Sequence, residues 1–267
     1  YDLAEDFRSI VEKFLSYIII PLLPIYILSV FANMTYAGQV QHILKVFGKV
    51  FLMVIILHWV FLTLVYCLAG ATSRKNPFSI LGHMMPAYVT ALGTQSSAAT
   101  IPVTLHSAKE AEVNPRIADF AIPLNANIHL AGSMITITCC SSAVVTMTHG
   151  RTPSFSSMIP LILVLGVMMV AAPGVPGGAV MTAVGALQSI LGFNPTMIAL
   201  MIALYLAQDS FGTATNVTGD GALATILERM SRKQLAQPNV AEEMANAQTA
   251  ADAAALAESD VAAAGVD

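Results

Sequence analysis

Charge is scarce in this chain. Of its 267 residues only 10% are Asp, Glu, Lys or Arg, against 56% hydrophobic, and mean hydropathy is +0.71. Soluble domains carry about 25% charged residues, so the balance excludes an ordinary soluble domain and implies a membrane protein in contact with a lipid bilayer. The few charges sit in short connectors and in an acidic tail. The net charge of −4 says nothing about nucleic acid, but no basic stripe of the kind phosphate binding needs is present, so no nucleic-acid partner is expected. Cysteine is equally sparse: Cys67, Cys139 and Cys140 lie inside apolar runs, with neither metal-ligand spacing nor an even framework, and read as small core side chains. No G-x-S-x-G, H-E-x-x-H or P-loop pattern occurs, so neither an enzyme nor a cofactor is expected. No signal peptide is visible and the first residue is Tyr1 rather than Met, which suggests a piece of a longer protein with upstream spans missing.

What is present is a series of apolar segments cut by three short polar stretches: SSAATIP at 96–102, APGVPGG at 172–178 and NVTGD at 216–220. Lipid offers no hydrogen bonds, so backbone broken at membrane depth persists only where it lines a cavity or is buried in protein. The pattern points to a transporter. The spacing predicts a span over 13–34, kinked at Pro21 and Pro24, and a second over 43–70. Residues 78–107, cut by Pro86, Gly93 and Pro102, form arms too short to cross and should enter and leave on one side. Residues 119–147 read as a span with a polar middle. A second pair of short arms covers 160–191, and a last span over 196–230 should be interrupted at NVTGD. Residues 231–267 are expected to be a mobile cytoplasmic tail.

Hairpin, span, hairpin, span is the order an inverted repeat produces, and such repeats place substrate and ion sites at their interface. The expected fold is an all-α multi-span membrane protein with broken helices and two re-entrant hairpins. With the N-terminus cytoplasmic and both hairpins re-entrant, Arg8, Lys13, Arg74, Lys75, Lys109, Arg116, Arg229, Arg232 and Lys233 fall inside. Only Lys45, Lys49 and Arg151 fall outside, in keeping with the positive-inside rule.

Asp209, Thr213, Asn216 and Asp220 share one helical face at spacings of four, three and four. An ionisable group at bilayer depth costs roughly 2.5–3.5 kcal/mol on insertion scales. It persists when it faces a cavity or a partner, and no Lys or Arg occurs between Arg151 and Arg229. Asp220, beside freed carbonyls, suits a hard cation such as sodium. Asp209 suits a substrate ammonium. Asn125, His129, Ser133 and Thr136 share a face of the preceding span; His129 is either a satisfied core residue or a ligand or proton relay. Ser96 and Ser97 open a half-helix whose free N–H groups favour a substrate carboxylate, or else simply allow close packing between the arms. The glycine-rich second tip has the length of a lid.

SSAATIPVT, AAPGVPGG and DSFGTATNVTGD together resemble the dicarboxylate/amino acid:cation symporters, the family of the glutamate transporter homologues, over most of 11–230 from that family's fifth span onward. The resemblance implies a homotrimer with a scaffold, here residues 1–42, and a transport domain, here 43–230, that carries substrate across by an elevator motion. It implies that Asp209 holds the substrate amino group, that Asn216 lies near its main carboxylate, and that Ser97 and Val175 clasp substrate from the tips. Asp220 would bind sodium. Two features depart from the family pattern. HLAG replaces NMDG, so His129 and Ala131 stand where an asparagine and an aspartate linked to sodium are expected, and a proton becomes an alternative coupling ion. Gly212 replaces the arginine of acidic-substrate members, so a small neutral amino acid such as serine or threonine is expected, with an acidic amino acid or a dicarboxylate as the alternative. An anion channel would use the same spans as a pore. An intramembrane hydrolase would rest on Ser97 with His129, unsupported by any oxyanion-hole motif.

Overall fold

The computed structural model describes residues 40–235, together with Lys13, Tyr17, Leu22, Ile25, Leu28, Ser29, Ala32 and Tyr36. Most of the first expected span, including both of its prolines, and the expected tail beyond 235 lie outside the described residues. Helix α1, Val40–Ser73, contains a 29-residue apolar stretch, Lys45–Ser73. At 1.5 Å per residue that is about 43 Å, ample for a hydrocarbon core of about 30 Å.

The first hairpin comprises α2, Pro77–His83, α3, Met85–Thr94, and α4, Ser97–Glu110. Its position is as expected, but the break is not where the prolines suggested. Pro86 sits in the first turn of α3, where a missing N–H costs nothing, and Pro102 lies inside α4 without ending it. The chain reverses at Gln95, in the left-handed region at φ 51°, and at Ser96, whose hydroxyl accepts from the Ala99 N–H at 3.2 Å and so caps α4. At 10 and 14 residues, α3 and α4 are each too short to cross.

Helices α5, Pro115–Ile128, and α6, Ala131–His149, form the second long apolar segment, Pro115–His149, parted only at His129 and Leu130. The second hairpin is α7, Phe155–Met168, then a 3-10 turn, Met169–Ala171, the tip, and α8, Gly178–Leu191. Helices α9, Pro195–Leu206, and α10, Asp209–Met230, meet at a 58° bend across Ala207 and Gln208. The interruption expected at NVTGD is therefore a correction: residues 216–220 are helical and the break lies earlier. Asn216 and the glycines do not turn the chain there, because they are used in contacts with other elements.

The described residues up to Leu227 belong to one compact unit; those from Glu228 to Leu235, with the four-residue helix α11, Arg232–Leu235, belong to another. All regular elements among the described residues are helical, and the chain is a multi-pass membrane protein of all-α architecture. An apolar core between α6, α7, α8 and α9, built on side chains such as Ile137, Leu161, Leu165, Leu187 and Met201, holds the second hairpin against the broken spans.

Candidate functional site

Four helices begin around one small cavity: α4 at Ser97, α6 at Ala131, α8 at Gly178 and α10 at Asp209. Gln95, Ser97, Leu130, Ser133, Gly174, Val175, Tyr205, Asp209, Thr213 and Asn216 are among its lining residues. Helix starts carry free N–H groups and roughly half a positive charge each. The cavity measures about 10 Å³, room for about one water molecule. Of the expected substrate residues, Ser97, Val175, Asp209, Thr213 and Asn216 are thus brought together, with Ser96 at the rim. Ser97 and Thr213 are 3% and 5% exposed, with both residues on the cavity wall.

Two hydrogen bonds close the cavity. Ser96 Oγ donates to the Gly174 carbonyl at 2.7 Å, joining the hairpin tips, and the Gly177 N–H donates to Asp209 Oδ2 at 2.7 Å. Gly177 holds φ 74°, a conformation that side chains disfavour. The N–H at the second tip thereby sits on the carboxylate that an ammonium would use. Tyr205 shares the cavity wall with Asp209 and Ser133.

Below the cavity, α6 and α10 approach backbone to backbone. Asn216 Oδ1 accepts from the Gly132 N–H at 2.7 Å, and its Nδ2 donates to Ser133 Oγ at 3.0 Å. A residue from α10 therefore caps the start of α6, which has no side-chain cap of its own. A Cβ on Gly132 would collide with the Gly212 carbonyl and reach within 2.8 Å of Thr215 Cβ. Gly212 does not line the cavity: a Cβ there would point at Thr136, Gly132 and Ser133.

One further turn along α10, Asp220 accepts at Oδ1 from His129 Nδ1 at 2.8 Å. Asp220 is 1% exposed, and its Oδ2 is buried with no partner. Gly219 lies against the His129 ring, where a Cβ would come within 2.7 Å of Cε1. The break that could free carbonyls near Asp220 is thus that of His129 and Leu130, on the facing segment. No group of three or more His, Cys, Asp or Glu side chains is gathered among the described residues, so a cation here would be held by one carboxylate with neutral oxygens, as suits sodium.

Sequence reasoning missed three buried groups. His58 and Tyr66 on α1 reach the site from outside it, and Gln208 at the bend donates to the Leu204 carbonyl at 3.0 Å, replacing a backbone bond lost at the break. The first two carried a signal. Val50, Val54, His58, Leu62 and Tyr66, spaced by four, form the buried stripe of an otherwise exposed helix.

Residues 1–230 match the profile of the Sodium:dicarboxylate symporter family. The chain belongs to this family. Among similar curated proteins are "Excitatory amino acid transporter 1" of Rattus norvegicus, 33% identical over 175 residues, and of Ambystoma tigrinum, 31% identical over 166 residues. "Excitatory amino acid transporter 3" of Mus musculus is 32% identical over 172 residues. These matches cover 62–65% of this chain and 30–32% of the relatives, so the chain spans about a third of the length of the proteins it matches. The family is one of symporters, a class the motifs implied. Membership also corrects the expected substrate: the family and its excitatory amino acid transporters contradict the small neutral amino acid inferred from Gly212. That inference assumed that position 212 faces the substrate, whereas Gly212 is buried in the contact between α6 and α10.

Proposed function

We propose that the protein is a sodium-coupled secondary transporter of acidic amino acids or dicarboxylates, and that this chain carries its substrate and cation sites. The observation that carries the reading is the convergence of four helix starts on a cavity that also holds a buried carboxylate. The starts of α4, α6 and α8 bring about 1.5 units of positive partial charge to the cavity, where they face the substrate's carboxylates without a guanidinium. The hydroxyls of Ser97 and Thr213, on the cavity wall, supply further polar contacts, and Asp209 receives the ammonium of an amino acid.

Binding then proceeds by exchange. The substrate ammonium displaces the Gly177 N–H from Asp209, and the Ser96 to Gly174 bond opens to enlarge a cavity now too small for anything but water. Asp220, with one oxygen held by His129 and the other free, takes sodium; a proton on His129 is the alternative carrier of that charge. The resemblance to the family further supports a homotrimer in which this part moves against a scaffold. Uptake of labelled aspartate, glutamate and succinate by the complete protein in proteoliposomes, under separate sodium and proton gradients, tests the proposal. Saturable, sodium-driven uptake is expected, and non-saturable, uncoupled flux would indicate a channel instead.

A further inference from the structure

Helix α1 touches the rest of the molecule along the stripe described above, and its two polar members both end on backbone carbonyls of other elements. His58 is 1% exposed. Its Nε2 lies 3.0 Å from the Gly132 carbonyl and 3.2 Å from Thr136 Oγ1. A carbonyl only accepts, so the proton is on Nε2, and Nδ1 is left buried with no partner. Tyr66, also 1% exposed, donates from its hydroxyl to the Thr218 carbonyl at 2.6 Å. That carbonyl lies inside α10, where the helix already supplies an N–H, so helix formation does not require the contact.

The destinations are informative. Gly132 is three residues after His129, and Thr218 is two residues before Asp220. His58 and Tyr66, two turns apart on α1, therefore grip the two segments whose side chains meet in the His129 to Asp220 contact. Gly132 is also where Asn216 caps α6, so the same grip fixes the first turn of the half-helix that opens the substrate cavity. An imidazole with an unpartnered nitrogen in a lipid-embedded helix is costly, and packing alone would be better served by leucine.

We propose that His58 and Tyr66 are positioning residues for the coupling cation: a two-point clamp that sets the separation of the His129–Leu130 break from Asp220, and thereby the affinity for the ion that accompanies substrate. The proposal rests on the cation-coupled transport reading above. A clamp acting on the ion predicts a selective effect. Tyr66→Phe removes one hydroxyl and leaves the packing volume nearly unchanged, so the half-saturating cation concentration should rise about five-fold or more, while Vmax and the substrate KM at saturating cation stay within about two-fold of wild type. His58→Leu should do the same more severely, and His58→Gln, which keeps a donor, should recover part of the loss. Leu62→Ala, on the same stripe between them, should lower the amount of folded protein without moving the cation curve.

The test is an uptake series in proteoliposomes with the complete protein, varying sodium at fixed pH and, separately, the imposed pH gradient. A selective rise for Tyr66→Phe with partial recovery in His58→Gln supports the clamp. Wild-type cation activation in Tyr66→Phe, or an equal shift from Leu62→Ala, overturns it while leaving the transport reading intact. A wild-type protein that moves substrate with no response to either gradient overturns both.

Discussion

The two halves of the molecule, residues 77–149 and 155–227, use one device with opposite chemistry. Each is a hairpin followed by a broken span. In the first half the breaks are finished by uncharged groups: Ser96 caps α4, and α6 begins under the amide of Asn216. Its carboxylates that pair with cations, Glu112 with Lys75 and Asp119 with Lys109, stay at the connectors. In the second half the tip turns on glycine, and both buried carboxylates, Asp209 and Asp220, lie on α10. Neither half makes a site alone. One supplies donors and an imidazole, the other supplies charge, and every polar contact of α10 described above crosses to another element.

The strongest way to break this division is to remove charge from the second half. Asp209→Asn should lower uptake of an acidic amino acid by about 100-fold, because a buried ammonium then faces a neutral amide. A dicarboxylate without an ammonium should lose far less, and equal losses for both would remove Asp209 from ammonium binding. Asp220→Asn should come next, raising half-saturating sodium by about ten-fold and weakening substrate binding at limiting sodium through linkage. Titrations of sodium at fixed substrate, and of substrate at fixed sodium, read the two effects.

Smaller effects test the seam. Gly132→Ala places a methyl against the Gly212 carbonyl and should cost about 1–3 kcal/mol as overpacking, seen as a lower melting temperature in detergent. Ser96→Ala removes the hydrogen bond between the tips, worth about 0.5–1.5 kcal/mol, together with the cap of α4, worth about 0.5–2 kcal/mol. The second tip should then open more often, and a cysteine introduced at Val175 should label faster without substrate. An unchanged labelling rate would mean that the Gly177 to Asp209 bond alone holds the tip.

Much of this division was legible in the sequence. Charge scarcity gave the membrane class, the polar interruptions gave both hairpins, and the spacing of Asp209, Thr213, Asn216 and Asp220 gave the shared face that the structure preserves. The errors share one cause. Glycine and asparagine in NVTGD were read as local breakers, and Gly212 as an emptied side-chain site, whereas all are consumed by contacts 76 or more residues away in sequence: Gly219 against His129, Asn216 on Gly132, Gly212 beside Thr136. Local propensity does not report what a residue meets across a fold. The break at His129 and Leu130 was hidden for the same reason, since its cap comes from α10 rather than from its own neighbours. His58 and Tyr66 were legible as a spacing of four and were overlooked because each, taken alone, resembles an ordinary member of a long apolar helix.

The account turns on three helix starts doing for two carboxylates what an arginine would otherwise do. Competition against labelled aspartate uptake in proteoliposomes under an inward sodium gradient tests that most directly, with serine and succinate as the competitors. Succinate should compete at least about ten-fold better than serine, since a second carboxylate meets a further helix start while a serine hydroxyl leaves it empty. Serine competing as well as succinate, or better, would contradict it.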